Sequence, residues 1–465
     1  MTFSYLDLIN QTFDWPVYDF DMQDDRLLFH GLNLPEIVSQ YGTPLRLSYV
    51  PKIGKQVRRS YSIFQEAMQK NGYDGDYTFC YCTKSSHFPF VLDEILKNNG
   101  HIETSSAFDM QLLEILREQG KISPEKYIIC NGFKTDEYIK NIGAWIEQEH
   151  TNLFPVLDNL QELEQYYYHT KKPFNIGIRI AAEEEPNFEF YTSRLGIRHK
   201  DVIPFYNEQI QNNSQVNLKM LHFFINTGIT DSAYYWSELD KCVTLYCELK
   251  KICPHLKYLD IGGGFPFPAS LYMDYDYQYM ADEIIMNIKK KCDQEGVAPP
   301  HIITEFGSFT VAESCATLYT VLQEKQQNDA EKWYMIDGSF ITQLPDTWGT
   351  DQRYILLPLN KWKNSYQRIN LGGLTCDSLD YYNSEVHQNQ VFLPKIEQQD
   401  EPLLVGFFHT GAYQDALGGT GGKQHCLIPS PRHLLVKEDD EGKLKYELFR
   451  EEQSARSMMK RLGYL

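Results

Sequence analysis

Eight short apolar runs, each bounded by turn residues and followed by a stretch with helical spacing, constrain this chain more than any other feature. In order they are YTFCYCTK from Tyr77, HIETSS from His101, YIICNGF from Tyr127, NLFPVLDN from Asn152, FNIGIRIA from Phe174, LKMLHFFIN from Leu218, LKYLDIGGG from Leu256 and HIITEFG from His301. Runs of this length and β-branched or aromatic content are strand-sized. The first separator, FPFVLDEILKNNG, is apolar at Phe90, Val91, Ile95 and Leu96 and stops at Asn-Asn-Gly, a helix C-terminal signal. FDMQLLEILREQG from Phe108 repeats the design and also stops at a glycine. Strand and helix alternating eight times predict an α/β fold, a (β/α)8 barrel over residues 47–310, with a doubly wound sheet as the alternative.

Beyond residue 310 the texture changes. KWYMID, RYILLPL, VFLPKI, PLLVGFF and CLIPSP read as strands, but long helical separators are missing. Residues 311–465 are therefore expected to form a mostly β domain closed by a helix in EEQSARSMMKRLGYL, with residues 1–46 joining it. A net charge of −19 argues against a general nucleic-acid binder, which needs clustered Lys and Arg, and favours approach of a cationic ligand. No run approaches the eighteen or so apolar residues of a transmembrane helix. The start, MTFSYLDLINQTFDW, lacks the basic and apolar segments of a signal peptide. The ten cysteines, mostly inside apolar runs and without CxxC pairs, read as reduced, buried thiols of a cytoplasmic protein, not as zinc ligands or disulfides. His101, His222 and His301 lack ligand spacing, so no metal is expected.

In a (β/α)8 barrel the active site lies at the C-terminal strand ends. The eight runs deliver there Lys84, then Glu103 with Ser105 and Ser106, Arg179, Phe224 with Asn226 and Thr227, Gly262, Gly263 and Gly264, and finally Glu305 with Gly307. A triple glycine is ordinarily a turn, and a lysine at a strand end is ordinarily a solvated cap. Their joint placement on the first, seventh and eighth strands says more. Glycines after strand 7 let backbone N–H groups approach a phosphate. A buried carboxylate on strand 8 faces a ring nitrogen, and a lysine from strand 1 reaches an aldehyde. Together these parts describe a pyridoxal 5'-phosphate site. A free lysine is a poor nucleophile at neutral pH, so Lys84 is expected to be buried, which would lower its proton affinity.

The strings YCTKSSH, DIGGGFP, EFGSF, LTCDSLD and GAYQ, in this order, resemble the group III pyridoxal-phosphate decarboxylases of the alanine-racemase-like fold. The stretch ITQLPDTWGTDQRYILLPL and the segment GFFHTGAYQDALGG are similar to the biosynthetic arginine decarboxylases. The resemblance implies that Lys84 binds the cofactor covalently, Glu305 holds the pyridine nitrogen, and Gly262 to Gly264 with Tyr413 hold the phosphate. It places Glu103, Phe224, Thr227 and Gly307 around the cofactor. It makes Cys376 a proton donor that reaches across a homodimer interface into the partner's site, and Asp377 with Asp337 contacts for the substrate's distal cation. It implies arginine converted to agmatine and carbon dioxide, with ornithine, lysine or diaminopimelate, of either stereochemistry, as alternatives. An inactive binding relative and a racemase of the same barrel class are the other readings. Two strings depart from the family: HFFINT stands where it has HFHIGS, so Phe224 replaces a stacking histidine, and EFGS stands where it has EPGR, so Ser308 replaces an arginine. His222, two residues before Phe224, is expected to point elsewhere.

Overall fold

The computed structural model describes residues 17–182, 193–386, 390–397 and 401–465. Residues 1–16, which hold the stretch read as unlike a signal peptide, lie outside them. The chain divides into two compact units, one of residues 54–266 and 275–310, the other of residues 1–53, 267–274 and 311–465.

Before the barrel come β1 (Phe20–Gln23), β2 (Arg26–Phe29) and β3 (Leu32–Asn33), an antiparallel sheet, and then β4 (Leu45–Tyr49). The eight predicted runs all form strands: β5 (Tyr77–Cys82), β6 (His101–Thr104), β7 (Ile128–Cys130), β8 (Leu153–Leu157), β9 (Phe174–Ile180), β10 (Val216–Phe223), β11 (Tyr258–Asp260) and β12 (His301–Glu305). They are parallel and follow one another in sequence order around a closed barrel, which β12 completes by pairing with β5. The first two separators are helices Pro89–Lys97 and Ala107–Glu118. Ser106 caps the second through Asp109 N–H, and Gly120 leaves it with φ of +71°, a conformation only glycine adopts cheaply.

Cys80, Ile129, Phe154, Val156, Met220, Tyr258 and Ile303 pack into one cluster. They come from six different strands, so they meet where those strands face each other, inside the barrel. A strand turns every second side chain to the same face. The residues two positions further on, Cys82, Asn131, Asp158, His222, Asp260 and Glu305, therefore form the next layer toward the C-terminal strand ends. An apolar plug thus carries a polar floor.

The barrel also buries an ion pair outside that layer. Lys134 Nζ lies 3.0 Å from Glu162 Oε1, with both side chains essentially inaccessible, and donates to the Val156 and Gly132 carbonyls. Removing one partner leaves an uncompensated buried charge. Glu162→Ala is expected to lower stability by about 3–5 kcal/mol, read as a fall in the denaturant midpoint, with the remaining transition still cooperative.

In the second unit β13 (Cys315–Gln326) is the spine. Chain order then gives β14 (Lys332–Ile336), β15 (Ile355–Pro358), β16 (Tyr366–Gly372), β17 (Tyr381–Tyr382), β18 (Val391–Pro394), β19 (Leu404–Phe408), β20 (Arg432–Glu438) and β21 (Leu444–Arg450). The longest path runs β17-β16-β14-β13-β4-β20-β21, so the N-terminal β4 sits inside the sheet of the C-terminal strands. One run read as a strand is not one: CLIPSP begins in a tight turn, His425–Leu427. Two strands, β20 and β21, were not among the predicted runs: β20 offers only the three-residue apolar run Leu434–Val436 between charged residues, and β21 sets Lys445 and Glu447 among its apolar residues. The closing helix is Ala455–Arg461. Among the described residues no helix is long and apolar enough to cross a membrane.

Candidate active site

Glu305 is the centre of the polar floor. Asn131 Nδ2 donates to its Oε1 at 2.7 Å, and His222 Nε2 stands 3.3 Å from its Oε2. The ligand atoms of His222, Asp260 and Glu305 lie within 4.8 Å of one another, all buried. Burial alone would raise the Glu305 carboxyl. The charge and hydrogen bond of His222, the Lys84 charge and a hydrogen bond from Asp260 outweigh it, and its pKa falls to about 2. Asp260 goes the other way: burial first, then the Glu305 charge, push it well above its ordinary value. Two carboxyl groups this close share one proton, and the environment assigns it to Asp260. Glu305 is thus held as an anion and Asp260 is biased toward its neutral form. Because Asp260 also accepts from Gly262 N–H at 2.8 Å through Oδ1, an amide reproduces both of its roles. Asp260→Asn is expected to keep turnover within about tenfold of the parent, the scale of one hydrogen bond.

His222 does not point away from this centre as expected. His222 lies two positions beyond the interior residue Met220 on β10, and the strand period turns it to the same face. Asn131 and Asp260 were missed in the sequence, although Asn131 directly follows the IIC of β7 and Asp260 is the last residue of β11. The available signal was the spacing of two from an interior apolar residue.

Lys84 lies in the short turn Thr83–Ser85 that follows β5. Its Nζ is 2.8 Å from Glu103 Oε2. The expected burial is not found: the Lys84 side chain is 45% exposed, while Glu103 is inaccessible. β5 ends at Cys82, and the turn lifts Lys84 off the barrel floor. Burial raises the Glu103 carboxyl above its ordinary value, with Lys84 pulling it down and Glu305 pushing it up. A carboxylate of raised proton affinity at hydrogen-bond distance from an amine is an acceptor for that amine's proton.

The glycines are required by close backbone approach. A Cβ on Gly263 would meet the Glu305 carbonyl oxygen at 2.4 Å, and one on Gly264, with φ of +126°, would meet Gly228 Cα at 2.8 Å. Gly307 leaves room for the Ser85 hydroxyl, which a Cβ there would meet at 1.9 Å. Ile229 N–H donates to the Gly264 carbonyl, which joins the loops after β10 and β11. Phe224 stands against Gly262 and is 38% exposed, with the Arg179 guanidinium carbon 5.7 Å from its ring centre. Around this loop pair Ser85 Oγ, Asn226 Oδ1 and Nδ2, and Thr227 Oγ1 are buried with no hydrogen-bond partner among the described residues. Buried polar atoms call for partners. A fixed anion, an accessible lysine, a glycine-built loop pair and unmatched donors are the set that a pyridinium, an aldehyde and a phosphate require, so these residues fit pyridoxal phosphate.

The other site candidates lie in the β unit. Tyr413 is half-buried and held at φ of +66°, ψ of −30°, a conformation that costs a non-glycine residue about 1–3 kcal/mol and marks functional positions. Asp337 accepts from Thr320 N–H at 2.9 Å and from the Thr43 hydroxyl, so both its oxygens are engaged within the unit. Asp377 accepts from Leu379 N–H at 2.8 Å and places its other oxygen 3.7 Å from His425 Nε2. Cys376 is exposed, unlike the eight buried cysteines, and its thiol is pushed up by the hydrogen bond and charge of Cys426. It therefore remains a thiol, a proton donor, at neutral pH.

Residues 54–312 match the family described as pyridoxal-dependent decarboxylase, pyridoxal binding domain. Arginine decarboxylase 1 of Arabidopsis thaliana is 23% identical over 85% of this chain and 70% of its own length. The biosynthetic arginine decarboxylase of Vibrio vulnificus is 21% identical over 93% and 86%. Among solved structures, the biosynthetic arginine decarboxylase of Campylobacter jejuni superimposes with a TM-score of 0.81 at 22% identity, covering 97% of this chain and 90% of that one. A diaminopimelate decarboxylase from M. jannaschii in complex with L-lysine gives 0.76 at 19% identity, covering 95% and 98%. Pyridoxal phosphate is the cofactor that this site takes, and with more than half its length matched the chain belongs to the pyridoxal-dependent decarboxylases.

Proposed function

We propose that this protein decarboxylates a basic L-amino acid, with L-arginine as substrate and agmatine and carbon dioxide as products. The observation that carries the decarboxylation is the Glu305 constellation, in which Asn131, His222 and a protonated Asp260 keep one buried carboxylate ionised. When bound, pyridoxal phosphate supplies the electron sink for the bond to the departing carboxylate.

The chain's own residues do the rest. Lys84 would hold the cofactor at its aldehyde carbon, and Glu103 is placed to take and return the proton at its Nζ. Glu305 would keep a proton on the ring nitrogen. Gly262 to Gly264 and Thr227 would hold the phosphate, and Phe224 would pack against the ring. Gly307 makes space for Ser85 beside them. Cys376 of one protomer delivers a proton to Cα in the partner's site of a homodimer. The choice of arginine is supported by the similarity to arginine decarboxylases over most of the chain. It is also supported by Asp377, a half-buried carboxylate of the kind a guanidinium contact requires, with one oxygen 3.7 Å from the His425 imidazole. Asp337, whose oxygens already accept from Thr320 N–H and the Thr43 hydroxyl, is the second candidate for that contact.

The test is carbon dioxide release from L-arginine, L-ornithine, L-lysine, their D forms and meso-diaminopimelate, with the cofactor bound. Release from arginine at the highest kcat/KM is the expected result. Release only from another member overturns the substrate and keeps the chemistry. No release from any, or interconversion of stereoisomers alone, overturns decarboxylation in favour of a binding relative or a racemase.

A further inference from the structure

Of the ten cysteines, only Cys376 and Cys426 are exposed, and they are neighbours. Their sulfurs are 3.6 Å apart, although fifty residues separate them in the chain. Both belong to the β unit. His425 completes a group in which one ligand atom from each residue lies within 4.8 Å of the others. We propose that Cys376, His425 and Cys426 form a binding site for a soft divalent cation of the zinc class.

The geometry suits a metal as it stands. A tetrahedral zinc with bonds of about 2.3 Å to sulfur places two thiolates roughly 3.8 Å apart. A disulfide would require the same sulfurs to close to about 2.05 Å. Two sulfurs and an imidazole are the donors that select zinc over the hard cations, and three protein ligands leave the fourth position open. Asp377 Oδ2, 3.7 Å from His425 Nε2, stands near enough to act as the outer carboxylate that orients a ligating histidine.

Both loops are built to hold their ligands still. Asp380 accepts from Phe340 N–H at 2.7 Å, and from Thr375 N–H at 2.9 Å and its hydroxyl at 2.6 Å, which clamps the loop that carries Cys376. Gly373 lets that clamp close, since a Cβ there would meet Asp380 Oδ1 at 2.3 Å. On the other side Cys426 and Leu427 sit at φ of +51° and +54°, consecutive left-handed residues without glycine. Such residues are held only where surroundings over-determine them. The turn is fixed by Leu427 N–H to the Gln424 carbonyl at 3.0 Å and Ile428 N–H to the His425 carbonyl at 3.2 Å. The absence of CxxC spacing concealed this group, because its members come from two loops.

A cation here takes the Cys376 thiolate out of circulation. On the proposed function, in which Cys376 is the proton donor, the metal is an inhibitor. The binding itself does not depend on that reading. The experiment is titration of the reduced, cofactor-loaded protein with Co2+. The expected result is one equivalent bound, with tetrahedral d–d bands and thiolate charge transfer, displaced by Zn2+. Cys426→Ser, with an unchanged circular dichroism spectrum, is expected to lose at least about tenfold in affinity, and His425→Ala a similar amount. Absence of thiolate transitions in the parent, an identical spectrum in Cys426→Ser, or loss of two titratable thiols without metal uptake overturns the site. In parallel, Zn2+ should block carbon dioxide release in the parent and spare Cys426→Ser. If the parent releases none without metal, the proposed function fails, while the cobalt spectra still decide the site.

Discussion

Lys84→Ala is expected to abolish carbon dioxide release, by on the order of 10^4-fold or more, the scale on which enzymes respond to removal of a covalent nucleophile. It should also erase the visible absorption of the cofactor-loaded protein. Both follow from one geometry: Lys84 is the accessible amine at the end of β5, and its Nζ is 2.8 Å from the buried Glu103. The substitution removes no packed core, because the side chain is half exposed, but it leaves the inaccessible Glu103 without its cation, so the variant should stay folded with a melting temperature somewhat below the parent's. A variant that folds, keeps the absorption band and still turns over would assign the chemistry to another amine.

Glu305→Gln is expected to lower kcat by about 10^2–10^3-fold with KM little changed, the range found when one preorganised electrostatic contact to a reacting system is lost. The cofactor should remain bound through Lys84, so the absorption band persists with a shifted maximum. The same residue has a pH signature. Its folded pKa, about 2, lies below the roughly 4.3 of an exposed glutamate, so its contribution to stability is present above the latter and is lost as pH falls toward the former. Acid unfolding of the parent should therefore steepen between about pH 4.3 and 2, and Glu305→Gln should flatten that limb. An unchanged acid limb together with unchanged kcat would mean that Glu305 is protonated in the native protein.

The two substitutions separate binding from electronics. On the proposed function, Lys84 would hold the cofactor and Glu305 would polarise its ring. Asp260→Asn, expected to be mild, is the control that distinguishes the charge on Glu305 from the hydrogen bonds around it.

The strand runs were legible because their information is local. A half-buried or buried strand needs apolar side chains at fixed spacing, and a turn needs Gly, Asn or Pro, whatever lies elsewhere. β20 and β21 were not legible, since the apolar run of β20 is only three residues long between charged ends and β21 is mostly exposed, with charges interrupting its apolar residues. CLIPSP was misread for the complementary reason: its apolar residues pass through a turn whose left-handed residues no sequence rule anticipates.

By itself the sequence determined the eight-fold alternation, the lysine after the first strand, the three glycines after the seventh and the glutamate at the end of the eighth. Each is a statement about a residue type at a local position. The tertiary structure alone decided the electrostatics. Glu305 is held as an anion because Asn131, His222 and Asp260 arrive from other parts of the barrel, and Asp260 is pushed up by its burial and then by the charge on Glu305. Likewise Cys376 acquires a second thiol and an imidazole as neighbours only when a loop fifty residues away folds against it. Protonation and coordination depend on distance and burial. Closing the barrel and pairing the loops set both quantities, whatever the separation of the residues along the chain.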